Sequence, residues 1–319
     1  MDEWRGQVED ALRAAVRSDD AYLTEVASHL IVAGGKRVRP LFAIAAASCS
    51  GATAGAAPTD DVVRGGVAVE LVHLGSLYHD DVIDEAQTRR TVESVNARWG
   101  NLTAILAGDF LLARASELAA ALGTEVAGLL AATIGRLCEG EVGELRAAYD
   151  VARTEAGYFS AIEGKTASLF ATACRIGAIV GGLPRDEIDA LTQFGLAYGM
   201  AFQIVDDVLD VTATEAELGK PAGHDLVEGV YTLPVLRALA SDDNLKGLLG
   251  RPIEGDELDT ALTAVRSNGA VRGALETARA YAADAVAVLQ PLGTNAGTDW
   301  LRIAVDQLFA RVEAISPTP

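Results

Sequence analysis

The sequence predicts an all-α protein, and three observations carry that expectation. No proline occurs between Pro58 and Pro184, and long helices need such a gap because an interior proline costs about 3 kcal/mol or more. The same stretch is rich in Ala, Leu and Glu, residues that lose little on entering a helix. Apolar residues recur at helical spacing, as in Val67, Leu71, Leu74 and Tyr78, then Leu102, Ile105 and Leu106. Runs with clean period-two alternation between turn signals are scarce, so no sheet is expected.

Helices are expected over 3–18, 19–33 and 39–50 ahead of the proline-free span. Within that span they are expected over 60–84, 92–97, 102–122, 124–149 and 154–180. Beyond Pro184 they follow over 185–211, 231–240, 255–267, 269–290 and 297–314. The Gly- and Ala-rich stretch 51–59 and the stretch 212–230 are expected loops. No solenoid-length repeat and no Pro/Ser-rich linker interrupts the chain, so residues 1–319 are expected to form a single domain. The high alanine content suits close helix packing in a large bundle.

The chain carries 26 Lys+Arg against 45 Asp+Glu, a formal net charge of −19. That acid excess argues against nucleic-acid partners, which need clustered cations to displace counterions. It argues equally against a permanent seat on anionic lipid. Cys49, Cys138 and Cys174 lie far apart without a Cys-x-x-Cys pair, which fits a reducing compartment. The polar, acidic start MDEWRGQVED is not expected to be a signal peptide. No stretch reaches the about 18 uninterrupted apolar residues of a spanning helix. A cytoplasmic protein without an integral membrane segment is expected.

Two acidic motifs stand out. Asp80-Asp81-Val-Ile-Asp84 places its carboxylates near one helical face, where they repel one another unless a cation sits between them. Asp80 and Asp84 suit a hard divalent ion such as Mg²⁺; a solvated helix end is the other reading. Asp206-Asp207-Val-Leu-Asp210 repeats the spacing 126 residues later among Phe202, Ile204, Val205, Val208 and Leu209. Carboxylates set in an apolar helix are costly unless paired or metal-bound. Two such motifs on different helices of a bundle are suited to hold a cluster of cations.

Basic residues accompany them. Gly34-Gly35-Lys36-Arg37-Val-Arg39 sets three cations beside flexible glycines just before a helix, a pattern suited to a phosphate group. Arg89 and Arg90 follow the first motif, and His73 precedes Asp80 by two helical turns. Lys165, Thr166, Gln203 and Lys220 add polar groups on or beside apolar helices. Gly-x-Gly-x-x-Gly, Walker A and Gly-x-Ser-x-Gly patterns are absent, which removes support for nucleotide and acyl-transfer chemistry.

With these segments in view, the chain resembles the trans-prenyltransferases, or polyprenyl diphosphate synthases. The likeness runs from about residue 28 to 240 and includes Glu70-Leu-Val-His73, Ser76-Leu-Tyr-His-Asp80, Trp99-Gly-Asn101 and Ala107-Gly-Asp109. It continues through Gly164-Lys-Thr-Ala-Ser168, Gly219-Lys-Pro-Ala-Gly-His-Asp-Leu226 and Thr232-Leu-Pro234. The resemblance implies an isoprenoid synthase-type helical bundle around a central active-site cavity, a homodimer or related oligomer, and Mg²⁺ dependence. It implies condensation of isopentenyl diphosphate with an allylic prenyl diphosphate by ionisation, condensation and elimination. Asp80 and Asp84 are then expected on Mg²⁺ with Asp81 in support, and Asp206 and Asp207 on a further Mg²⁺ with Asp210 nearby. Lys36, Arg37, Arg39, His73 and Arg90 are expected on isopentenyl diphosphate. Arg89, Lys165, Thr166, Gln203 and Lys220 are expected on the allylic substrate. Many relatives carry Lys where this chain has Val230, which removes one allylic contact.

In such enzymes the product grows beside the turns that precede the first acidic motif. Gly75 and Ser76 are small and Val72 is modest there, so a medium- or long-chain product is expected, with a geranylgeranyl or farnesyl product as the alternative. A di-metal redox bundle needs two Glu-x-x-His elements, and Glu70-x-x-His73 has no second copy. A terpene cyclase generally keeps only one such acidic motif, and a non-catalytic subunit is expected to have eroded both.

Overall fold

Helices make up most of the computed structural model, which describes residues 2–49, 57–213 and 222–315. Contacts group the chain into two compact units: Met1–Ile134, Leu169–Thr192 and Pro291–Leu301, and then Gly135–Ser168, Gln193–Gln290 and Arg302–Pro319. No helix among the described residues is long and apolar enough to cross a membrane.

The first unit opens with α1 (Asp2–Ala15), α2 (Ala21–Val32), α3 (Val38–Ala47) and α4 (Asp60–Ile83). Asp20 starts α2 by accepting from the backbone N–H of Tyr22 and Leu23 at 2.8 and 3.1 Å. Thr59 starts α4 by accepting from Val62 N at 3.3 Å; both are N-cap contacts. α4 packs chiefly on α6 (Asn101–Ala121) and α3. It buries Val62, Val67, Leu71, Leu74 and Tyr78 among others, as a helix at the centre of a bundle does.

In the same unit α9 (Ser168–Val180) meets α3 almost backbone to backbone: a Cβ on Gly177 would lie 2.0 Å from Ala43 O. Only glycine permits that approach. Helices α5 (Val95–Trp99) and α7 (Thr124–Arg146) complete the order to that point.

A short antiparallel ladder, β1 (Thr88–Arg89) against β2 (Val92–Glu93), stands where the expected helix 92–97 begins. Its turn residues Arg90 and Thr91 both take positive φ, 51° and 65°. Hairpins with two such residues favour Asn-Gly, and Arg-Thr gives no such signal.

In the second unit α8 (Glu155–Ile162) runs into a π-helical turn, Glu163–Ala167, so the expected continuous helix 154–180 is interrupted. α10 (Arg185–Thr212) and α11 (His224–Val227) precede α12 (Leu233–Ser241), which packs on α8, α13 (Asp243–Leu248), α14 (Asp256–Ser267) and α15 (Ala270–Val288). The last helix is α16 (Ala296–Ile315). α13 was not expected; Asp242 leaves helical geometry and caps it by accepting from Asn244 N and Leu245 N at 2.9 and 3.1 Å. The expected helix 124–149 stops at Arg146, and Tyr149, at φ 59°, donates its N–H to Gly229 O at 2.8 Å.

Candidate active site

In the first unit the Asp80–Asp84 motif forms the last turn of α4 and its cap: Asp84 N donates to Asp80 O at 2.8 Å. A helix C-terminus favours cations, yet the last turn of α4 and its cap hold three carboxylates and the turn has no basic residue. Asp80 is half-buried, Asp84 exposed and Asp81 fully buried. Asp81 Oδ1 accepts from Arg89, at 2.7 Å from Nε and 2.5 Å from Nη2, while its other oxygen is buried without a hydrogen-bond partner. Burial raises the Asp81 carboxyl above its ordinary range, and Arg89 opposes that rise.

Beside this turn lies a cationic cluster. Gly35 makes room for it: a Cβ there would sit 2.7 Å from Arg90 Nη1 and 2.9 Å from Arg37 Nη1. Arg90 is held by Leu30 O at 3.1 Å and by Gly34 O. Arg39 lies over the Phe170 ring, 4.6 Å from its centroid. Burial first, then Arg39, Arg90, Arg37 and Arg89, hold His73 well below the usual imidazole range, so its ring stays neutral. Glu70 is raised by burial and drawn down by Arg37, Arg39 and Arg90. Cations outnumber anions here, which suits a polyanion. Lys36 is exposed at the edge of α3.

Arg37 departs from the expected role. Its side chain is fully buried, with Nε 2.6 Å from Glu9, Nη1 3.2 Å from Glu70 and Nη2 2.9 Å from Ile31 O. These contacts fix the start of α3, with Arg37 at φ 50° as its cap. Glu70 is consumed by the same pairing, which removes the Glu70-x-x-His73 element from any di-metal reading. Gly75 faces α6: a Cβ there would lie 3.1 Å from Gly108 O and 3.2 Å from Leu112. Val72 is buried, and Ser76 Oγ donates to His73 O at 2.9 Å.

In the second unit Asp206–Asp210 occupies the last turns of α10, whose final turn also lacks a basic residue. Asp206 is exposed, whereas Asp207 and Asp210 are buried. Asp207 accepts from Tyr158 Oη at 2.5 Å and from Gln203 Nε2 at 2.8 Å; Gln203 Oε1 accepts from Thr166 Oγ1 at 2.8 Å. Burial pushes Asp207 up to about 7, against the lowering effect of the Tyr158 and Gln203 hydrogen bonds. Thr166 and Gln203 thus hold each other and Asp207. Asp225 N donates to Asp210 Oδ2 at 3.2 Å.

The π turn carries Lys165 and Thr166, and π turns recur at functional sites. It rests on α7 through two glycines: a Cβ on Gly140 would lie 2.6 Å from Lys165 N, and one on Gly164 2.8 Å from Arg136 O. That approach sets Lys165 Nζ 2.7 Å from Glu141 and 2.6 Å from Glu144. Although burial works against it, the two carboxylates raise the Lys165 amine above its ordinary value. Sequence reasoning missed Tyr158, Arg153, Glu141 and Glu144; the capped stretch Thr154-x-x-x-Tyr158 ahead of Lys165 was the available signal. Lys220 lies outside the described residues.

Among the described residues no three His, Cys, Asp or Glu side chains form a metal cage. Mg²⁺ seldom uses one; it takes one or two carboxylates and completes its shell with water and substrate phosphate oxygens. Asp80 with Asp84, and Asp206, near the ends of helices whose last turns carry no basic residue, fit that habit.

A family model described as Polyprenyl synthetase matches residues 20–265. The nonaprenyl diphosphate synthase of Mycobacterium tuberculosis is 38% identical over 310 residues, covering 96% of this chain and 91% of that protein. The structure of heptaprenyl diphosphate synthase from Staphylococcus aureus superposes with a TM-score of 0.91 at 31% identity, covering 97% and 98% of the two chains. The geranylgeranyl pyrophosphate synthase of Corynebacterium glutamicum, complexed with calcium and isoprenyl diphosphate, gives 0.83 at 38% identity, covering 98% and 96%. Like the acidic turns and the arginine cluster, these matches place the chain in one family: it belongs to the polyprenyl synthetases.

Proposed function

We propose that the chain is a Mg²⁺-dependent prenyltransferase that condenses isopentenyl diphosphate with an allylic prenyl diphosphate. The observation that carries the reading is the duplicated Asp-Asp-x-x-Asp at the ends of α4 and α10, each without a basic residue in the last turn. Mg²⁺, when bound, would neutralise charge on the departing diphosphate. Asp80 and Asp84 would hold one such ion and Asp206 a further one; Asp81 and Asp207 orient their turns through Arg89 and Tyr158. Lys36, Arg39 and Arg90 would bind the diphosphate of isopentenyl diphosphate, with neutral His73 as a hydrogen-bonding group. Lys165 would meet the allylic diphosphate. No protein base of unusual strength is required, because released diphosphate can take the proton.

The product is proposed to be medium- or long-chain, in line with the nonaprenyl and heptaprenyl relatives. The Corynebacterium relative supports a geranylgeranyl product as the second reading. A homodimer is supported by Leu102, Ile105 and Leu106 of α6, which are 67%, 43% and 63% exposed on one helical face with Tyr22 beside them. Three free thiols agree with a reducing, cytoplasmic setting. Both units are read as one polyprenyl synthetase domain over residues 1–319. Incubation with labelled isopentenyl diphosphate, Mg²⁺ and each allylic primer in turn, with product length resolved, tests the whole reading. No elongation with any primer would refute it.

A further inference from the structure

The second unit contains a charge arrangement that the reaction scheme does not use. Glu144 lies between two cations. Its Oε2 holds the Lys165 ammonium at 2.6 Å, while Oε1 stands 4.0 Å from Arg153 Nη2, outside hydrogen-bond reach. The Arg153 side chain is only 3% exposed. Its Nη1 donates to Tyr231 O at 3.1 Å, but Nη2 is buried without a hydrogen-bond partner. A buried guanidinium N–H left unmade is costly, and one carboxylate oxygen lies about 1 Å beyond ideal distance from it. Glu141 holds Lys165 from the other side at 2.7 Å.

We propose that Glu144 is a positioning residue that changes partner when substrate binds. Before binding it pairs with Lys165. When a diphosphate oxygen draws Lys165 away, Glu144 closes onto Arg153 Nη2. The exchange keeps Glu144 paired throughout, whereas releasing Lys165 without it would leave two largely buried carboxylates with no cation. Arg153 therefore lowers the cost of delivering Lys165 and controls diphosphate affinity without touching the ligand. The inference rests on reading Lys165 as a diphosphate contact.

The test is a double-mutant cycle on the full chain, read by calorimetric titration with inorganic pyrophosphate and Mg²⁺, with urea midpoints to confirm folding. Arg153→Met should weaken pyrophosphate binding about tenfold, and Glu144→Gln should tighten it, effects of the size of ordinary site coupling. The double variant should bind like Glu144→Gln alone, because Arg153 acts only through Glu144. A gain from Glu144→Gln that vanishes with Lys165→Met would confirm the route. Additive effects of the two substitutions, or unchanged or weaker binding by folded Glu144→Gln, would overturn the exchange. Wild-type binding indifferent to Lys165→Met would instead remove Lys165 as a contact, and the inference with it.

Discussion

Arg37→Met separates two roles for a residue that the sequence places at a phosphate site. The side chain is buried, and its nitrogens reach Glu9, Glu70 and Ile31 O at 2.6–3.3 Å. Glu9 can relax towards water, but Glu70 is only 2% exposed and would keep a buried charge with less compensation. Breaking one side of such a pair costs about 3–5 kcal/mol, a large part of the about 5–15 kcal/mol that holds a typical chain folded.

The cost carries a pH signature. Burial already lifts Glu70, and Arg37 is the first of the groups holding it down. Without Arg37 its folded value rises further, while the unfolded chain keeps the ordinary value of 4.5. The folded variant then binds a proton that the unfolded chain has lost. The penalty is absent below the unfolded value and grows as pH rises towards the folded one. Urea unfolding at pH 5 and pH 8 should therefore show the larger loss at pH 8. Arg37→Lys, which keeps the charge and loses the fork, should lie between. A variant with wild-type urea midpoints at both pH values but lost affinity for isopentenyl diphosphate would refute the reasoning and restore Arg37 to the ligand.

Three further outcomes are expected. Tyr158→Phe removes one donor from buried Asp207 and should cost about 1–3 kcal/mol; because Asp207 is already raised and loses a group that lowers it, that loss should grow with pH across the window from its ordinary value upward. Gly75→Phe must displace Leu112 and the backbone of α6; stability from urea unfolding should fall by about 1–3 kcal/mol and chromatography should show shorter products, while unchanged product length would end the role of this position in chain length. Leu106→Glu on the exposed face of α6 should shift sedimentation from dimer to monomer with helicity unchanged; a wild-type sedimentation profile would exclude that face as the interface.

Most of the helical order was legible because α4, α6 and α10 announce themselves through period and the absence of proline. Both acidic turns were legible for a related reason: carboxylates in apolar surroundings stand out without any knowledge of the fold. The short ladder at Arg90-Thr91 was not, since its turn residues lack the glycine or asparagine that usually marks positive φ. The π turn was not, because one extra residue per turn leaves no mark in an Ala- and Gly-rich segment.

The site divides along the same line. Residue type and spacing by themselves determined the helical class, the two carboxylate triplets, and the basic segment Lys36–Arg39. Only the tertiary structure decided which of those charges face inward. Arg37 and Arg39 are two residues apart, yet Arg37 is spent on Glu9 and Glu70 while Arg39 lies over Phe170. Nothing in the spacing of Glu141 and Glu144 marks them out; the contact of Gly140 with Gly164 brings Lys165 between them. Spacing along one helix reports which residues share a face, but what that face meets depends on partners from elsewhere in the chain. That pairing sets burial, and burial sets the charge each group carries.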